Sequence, residues 1–96
     1  MITIPLDGGA ASAHQTFAIQ LGDNFVDFRL NYITRSAQWC MDAYLDDTPI
    51  ISGAMLAPNA EITAVYGKEI GRLFFYGEQP TLDNLGKTNW LVWVDG

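Results

Sequence analysis

The sequence predicts an all-β fold, a single small antiparallel β sandwich or barrel of about seven strands with at most one short helical turn. Valine, isoleucine, threonine and aromatic residues make up 31 of the 96 residues, and these side chains suit a pleated, half-buried surface. Nine glycines and four prolines interrupt the chain at short intervals, which is typical of a compact sandwich or barrel. The length leaves room for one domain, residues 1–96, built around one core.

The first half of the chain has the clearest strand periodicity. Phe17, Ile19 and Leu21 alternate with polar or small residues, and the alternation resumes after a turn at 22–24. Glycine and asparagine in that turn tolerate positive φ, so the two alternating segments are predicted to form a hairpin. The predicted elements of this half are a strand at 2–6, a polar loop at 7–12, strands at 15–21 and 26–32, and a fourth strand at 38–45.

The second half is predicted mainly from its turn residues. Asn59 is a good N-cap, and Gly67 and Gly71 bracket the segment that follows, so a helix there is limited to one turn over about 59–65. The predicted elements are a turn at 46–49, a strand at 50–57, this helical turn, strands at 72–76 and 90–95, and a long polar loop at 77–89. One core cluster is expected to join Phe17, Phe28, Leu30, Trp39, Met41 and Leu73.

The charge and the cysteine content exclude several classes of protein. The formal net charge is −6 and the pI is near 4.3, which argues against nucleic acid or an anionic membrane as a partner, because both attract clustered lysine and arginine. No apolar run approaches the roughly 20 residues that cross a bilayer. Cys40 is the only cysteine, so no internal disulfide is expected, and the N-terminal residues lack the features of a signal peptide.

Residues with catalytic or metal-binding chemistry are sparse. His14 is the only histidine, and neither Ser12 nor Ser36 lies in a nucleophile elbow. Cys40 is predicted in the middle of a strand, where it packs as a small apolar side chain, and one histidine with one cysteine do not make an ordinary zinc site. The acidic segment 42–47 lacks the spacing of a calcium loop. We therefore expect no catalytic residue, no cofactor and no metal site.

Apolar side chains exceed what the faces of one core require. The segments 50–56, 73–76 and 90–94 carry hydrophobic residues on both faces, whereas a sheet with one solvated face alternates. A partner protein would cover the surplus, and so would the loops 57–71 and 77–89; the residues alone leave both explanations open. The candidate interface residues are Phe74, Tyr76, Leu91, Trp93, Leu82 and Leu85.

Two short signatures and the order of the strands carry a family resemblance. A Trp-x-Met-Asp signature at 39–42 follows the hairpin, and a Pro-Thr-x-Asp-x-Leu-Gly signature at 80–86 precedes the aromatic last strand. In this order the chain resembles the small baseplate plug proteins of contractile-tailed phages, the cyanophage-type plug family, over essentially all of its 96 residues.

The resemblance implies a structural virion protein with no catalytic residues. Members of that family are components of the tail tip, placed around the central hub between tube and spike. The implied partners are the baseplate hub, the tail tube and neighbouring baseplate proteins, in a ring of threefold or sixfold order. The implied location is the virion baseplate, after assembly in the host cytoplasm.

A different function is consistent with the loop at 77–89. A loop of this length inside a small domain is often functional, so the alternative is a stand-alone β-sandwich module that recognises a peptide or a glycan through it. A small enzyme is a third class, for which the sequence offers no convergent set of titratable groups.

Overall fold

The computed structural model describes residues 2–62 and 71–94, which form strands and one 3-10 turn at Ala10–Ser12. The strands are β1 (Ile2–Ile4), β2 (His14–Leu21), β3 (Asn24–Ile33), β4 (Gln38–Leu45), β5 (Thr48–Met55), β6 (Ala60–Glu61), β7 (Arg72–Gly77) and β8 (Asn89–Val94). The predicted all-β class is confirmed, with eight strands in residues 2–62 and 71–94 where about seven were expected for the chain.

The strands form two four-stranded antiparallel sheets that pack as a sandwich and do not close into a barrel. The meander sheet has the order β2-β3-β4-β5, in which each strand pairs with the next along the chain. The terminal sheet has the order β1-β8-β7-β6, so the first and last described strands are hydrogen-bonded neighbours. Within the described residues, no helix has the length and apolarity that crossing a bilayer requires.

Tight turns join the strands of the meander sheet. Leu21 pairs with Asn24 across a two-residue turn in which Gly22 has a φ of +62°. The next two-residue turn places both Asp46 and Asp47 at positive φ, +51° and +64°, as a type I′ hairpin requires. Both predicted turns are therefore confirmed, and their handedness matches the twist of the flanking strands.

The last strand of the meander sheet differs from its predicted range of 50–57. Strand β5 begins at Thr48, because the tight Asp46-Asp47 turn leaves that residue opposite Leu45. The register between β4 and β5 then shifts near Ala43, and the Oδ1 atom of Asp42 accepts a 2.7 Å hydrogen bond from the amide of Gly53. This side-chain acceptor satisfies a backbone donor that the irregular ladder leaves unpaired.

The prediction of a helical turn over 59–65 is wrong for the part of it that the structure describes. Asn59 lies in the left-handed region at a φ of +58°, and the two residues of β6 pair with Phe75 and Phe74. Pairing with an apolar strand outweighs the local N-cap preference of asparagine, so a short edge strand forms instead. Residues 63–65 of the prediction lie outside the described residues.

The core lies between the two sheets and draws side chains from both. The predicted cluster is confirmed: Phe28, Leu30, Trp39, Met41 and Leu73 are buried in it, and Phe17 packs against it at the margin. The rings of Phe17 and Phe28 stack with centroids 5.4 Å apart, because these residues are direct cross-strand partners. Further core residues are Ile4, Leu21, Val26, Ala43, Ile51, Ala54, Leu56, Ile62, Phe75, Leu85, Leu91 and Trp93.

Candidate interaction surface

The outer face of the terminal sheet carries an apolar surface that we call the aromatic face, formed by Phe74, Tyr76 and Trp90 around Val92, which is itself only 8% exposed. Strand register assembles it: Tyr76 lies opposite Trp90, and Phe74 lies opposite Val92. Cross-strand partners have neighbouring Cβ atoms, so the four side chains form one contiguous patch. The side chain of Trp90 is 48% exposed and that of Tyr76 is 44% exposed.

Contacts within the terminal sheet hold the aromatic face in one arrangement. The rings of Phe74 and Tyr76 stack with centroids 5.9 Å apart and an interplanar angle of 12°. The Arg72 guanidinium lies 5.0 Å from the centroid of the Phe74 ring, and its Nη2 atom donates a 3.0 Å hydrogen bond to Glu61 Oε1. The hydrogen bond and the charge of Glu61 raise the pKa of Arg72, so this cation persists at the border of the patch.

Two of the six predicted interface residues belong to this surface. Phe74 and Tyr76 face outward, as the alternation of β7 indicates, while Leu73 and Phe75 point into the core. Trp90 and Val92, which lie opposite Tyr76 and Phe74, were not among the predicted interface residues. Their signal was present, since Trp90 and Val92 share one face of β8, but alternation alone does not say which face is outside.

The structure places Leu91 and Trp93, two residues that were predicted to face a partner, in the core and not on the surface. Leu91 is fully buried and Trp93 is 5% exposed, and both belong to the core cluster. The Trp93 ring reaches the turn of the opposite sheet, where a Cβ placed on Gly22 would lie 3.1 Å from it. A substitution such as Trp93→Asp would place a charge in the core, so it would destabilise the fold and could not report on an interface.

The other two predicted residues hold the long loop against the body. Leu85 is buried in the core, and Leu82 packs against the core half-buried. The backbone of the same loop is tied down by the Trp39 indole, which donates a 2.8 Å hydrogen bond to the carbonyl of Thr81. A second tie is the 2.6 Å hydrogen bond from the Gly9 amide to the carbonyl of Leu82.

The side chains of Asn84 and Asn89 form hydrogen bonds with other polar groups of the same long loop. Asn89 is fully buried; its Oδ1 atom accepts from the Gly86 amide at 2.7 Å, and its Nδ2 atom donates to the Glu78 carbonyl and to Asn84 Oδ1. Asn84 Oδ1 also accepts from the Thr81 amide at 2.7 Å, and Thr81 Oγ1 accepts from the Asn84 amide at 3.2 Å. Nothing in this arrangement supports the alternative of a loop that recognises a peptide or a glycan.

Close approach to the first strand explains the glycine that ends the second signature. Gly86 has a φ of +80°, and a Cβ at this position would collide with the carbonyl oxygen of Leu6. Gly8 makes the reciprocal approach, since its Cβ would lie 2.7 Å from the carbonyl oxygen of Asp83. The loop and the segment after β1 therefore pack backbone against backbone, which only glycine allows.

The outer face of the meander sheet carries charged side chains among its exposed residues, which also include Phe25 and Met55, in contrast to the aromatic face. Arg29 lies beside Asp42 in the strand register, and its guanidinium is 4.7 Å from the centroid of the Tyr44 ring. A shallow depression of about 450 Å³ around Arg29 is also lined by Asp27 and Asp47. The two outer faces of the sandwich thus differ in chemistry, and the apolar one resembles the centre of a protein interface.

The histidine and the cysteine lie on different strands of the meander sheet, His14 on β2 and Cys40 on β4. His14 is exposed at the start of β2, and its Nδ1 atom lies 2.7 Å from Asn31 Oδ1. Burial, and secondarily the charge of Asp42, raise the pKa of the Cys40 thiol, which is the opposite of what a nucleophilic thiolate needs. No group of three histidine, cysteine or carboxylate residues within 2–62 and 71–94 is placed to hold a metal ion.

One comparison with known proteins identifies a family. The family model described as cyanophage baseplate Pam3 plug gp18 matches residues 1–96, the whole of the chain. The match therefore includes both signatures, the long loop and the aromatic face. The search of curated proteins found no match.

Proposed function

This chain belongs to the cyanophage baseplate plug family, and from that premise we propose that it packs against the central hub at the tail tip through its aromatic face. A structural protein of the phage tail baseplate contacts neighbouring proteins, so an exposed apolar surface on it can be buried against one of them. The proposal concerns which surface is used and which neighbour covers it.

The observation that carries the proposal is the exposure of two large aromatic side chains on one sheet face. With ordinary side-chain areas, the exposed parts of Trp90 and Tyr76 amount to roughly 200 Å², and covering them is favourable by about 3–5 kcal/mol before the entropy of association is subtracted. Tryptophan and tyrosine are also the side chains most often found at interface hot spots. The large apolar side chains exposed on the meander sheet, Phe25 and Met55, lie on β3 and β5, which are not neighbouring strands, so they do not form a paired patch of this kind.

The acidic character of the chain supports an orientation of the plug. The chain has a net charge of −6. When the apolar face is turned to the hub, acidic surface remains for the side that faces the path of the genome. Negative surface repels phosphates, so DNA that leaves the tail does not adhere to the plug.

The protein acts by filling and bridging within the assembly, without turning over a substrate. The raised pKa of Cys40 supports this, because a thiol that ionises less readily is a poorer nucleophile. We place it next to the hub, the tail tube and neighbouring baseplate proteins, in a threefold or sixfold arrangement that is completed in the host cytoplasm.

Complementation of a phage that lacks this gene tests the proposal. Trp90→Asp is expected to abolish incorporation into tails while the isolated chain stays folded, because the side chain is about half exposed and leaves no core void. Phe25→Asp is the matched control: Phe25 is 58% exposed on the meander sheet, so the same change there should be tolerated. Normal tails with Trp90→Asp, or equal loss with both variants, would refute the assignment of the aromatic face.

A further inference from the structure

The four sheet edges of the sandwich are not equally protected against pairing with another chain. Edge strands β1 and β6 have only three and two residues, and edge strand β5 contains Pro49 and the register shift opposite β4. Short edges, prolines and bulges are the usual means of blocking edge-to-edge pairing. Strand β2 has eight residues in regular register with β3, and it contains no proline and no Asp, Glu, Lys or Arg.

The ladder between β2 and β3 shows which backbone groups of β2 point to the open edge. The amide of Tyr32 donates a 2.8 Å hydrogen bond to the carbonyl of Ala13, and these two residues are direct partners when the β2–β3 register is extended by one pair. In an antiparallel ladder the hydrogen-bonded pairs alternate, so the odd-numbered residues of β2 face β3. The amides and carbonyls of Thr16, Ala18 and Gln20 therefore point away from the sheet.

A groove runs along this open edge. It has a volume of about 240 Å³ and is lined by Pro5, Asp7 and residues 15–19. One end is fixed by the side chain of Gln15, whose Nε2 atom donates to the carbonyls of Asp7 at 2.7 Å and Ser12 at 2.9 Å. The groove is thus formed before any partner binds.

We propose that the open edge of β2 accepts an extended segment of another baseplate protein, which adds a fifth strand to the meander sheet. The identity of the partner rests on the proposed function, whereas the edge itself follows from the structure. Main-chain hydrogen bonds to Thr16, Ala18 and Gln20 would supply affinity, as in other cases of strand addition.

The side chains around the edge define the chemistry of the added segment. On the core side it meets Phe17 and Ile19, which are only half-buried, so alternate residues of the segment are apolar. On the outer side it meets uncharged β2 side chains. The β3 partners of Thr16 and Ala18 are Arg29 and Asp27, and Asp7 lines the groove, so the intervening residues are polar, with a basic residue suited to the positions beside Asp7 or Asp27. A second copy of this chain fits less well, because it brings the same carboxylates and another net charge of −6 to the edge.

Amide hydrogen exchange, measured on the isolated chain and on purified tails, tests the proposal. The amides of Thr16, Ala18 and Gln20 should exchange rapidly in the isolated chain and become protected in tails, whereas those of the odd-numbered residues 15–19 should be protected in both. Unchanged exchange of the three amides in tails would overturn the proposal. Protection in the isolated chain at twice the monomer mass would overturn it in favour of a second copy.

Ala18→Pro, introduced into the same complementation experiment, provides an independent test. Proline is tolerated on an edge strand where the missing N–H faces solvent, so the isolated variant should fold but lose incorporation into tails. Ala18→Ser keeps the amide and should be incorporated. If Ala18→Pro folds and is incorporated into tails while Trp90→Asp is excluded, the edge proposal fails and the aromatic face stands. If Ala18→Pro is excluded while Trp90→Asp is incorporated, the aromatic face fails and the edge proposal stands.

Discussion

Trp39→Phe should reveal how strongly the two signatures depend on each other. Trp39 opens the first signature, it is fully buried, and its indole N–H donates to the carbonyl of Thr81 in the second signature. Phenylalanine keeps an aromatic ring in the core but removes this donor. The substitution therefore tests the only side-chain hydrogen bond that joins the signatures among the described residues.

Two terms set the expected loss of stability. The lost hydrogen bond contributes about 1 kcal/mol, and a void of roughly 40 Å³ left by the smaller ring contributes about 1 kcal/mol at 24 cal/mol per Å³. With the apolar surface that is no longer buried, the free energy of unfolding should fall by about 2–3 kcal/mol. For a chain of this length each kcal/mol shifts Tm by about 5 °C, so Tm should fall by about 10–15 °C.

Thermal unfolding followed by circular dichroism measures this loss, and Trp90→Phe is the matched control. The same substitution on the aromatic face removes no buried contact of comparable size and should change stability by less than about 0.5 kcal/mol. The Gly9 amide, which bonds to the carbonyl of Leu82 at 2.6 Å, should also exchange faster in Trp39→Phe. Equal stability of the two variants, or unchanged exchange at Gly9, would refute the role given to the indole.

Three further substitutions test the loop and the cysteine. Asn89→Ala leaves the partners of a fully buried amide unsatisfied and should lower the free energy of unfolding by about 2–3 kcal/mol, measured by urea denaturation. Gly86→Ala forces a Cβ against the Leu6 carbonyl at positive φ and should cost more than about 2 kcal/mol, whereas Lys87→Ala beside it should be nearly neutral by the same assay. Cys40→Ala should cost at most about 1–2 kcal/mol, because Cys40 is a half-buried packing residue. Because the pKa of Cys40 is raised in the folded chain, the thiol of the unfolded chain ionises first as pH rises. The stability that the neutral thiol contributes is therefore present below about pH 9 and is lost as pH rises through the folded pKa. For the same reason, Ellman's reagent should react with Cys40 more slowly than with free cysteine at pH 8.

The two proposed contacts of the plug use different parts of the sandwich and different physical forces. The aromatic face lies on the terminal sheet and relies on apolar burial, whereas the open edge of β2 belongs to the meander sheet and relies on backbone hydrogen bonds. A plug with both contacts can join two neighbours at once. A partner bound at one contact leaves the other contact free, so Trp90→Asp reports on the aromatic face and Ala18→Pro reports on the edge of β2.

Local pattern was sufficient to predict the strands and turns that begin the meander sheet. Alternation at Phe17, Ile19 and Leu21 indicated the β2–β3 hairpin, because neighbours two residues apart share a sheet face whatever the rest of the chain does. The turn at 22–24 was equally local, since glycine supplies positive φ at no steric cost. The two family signatures were also visible in the sequence, but their structural roles were not.

Three features depend on long-range packing: which apolar face is buried, which distant segments pair, and what the signatures do. Strand β8 is apolar on both faces, so only its packing between β1 and β7 puts Trp93 in the core and Trp90 outside. The pairing of Ala60 with Phe75 overrode the helix signal at Asn59 for the same reason. The free energy of these choices comes from contacts between residues far apart in sequence, which a local pattern does not contain.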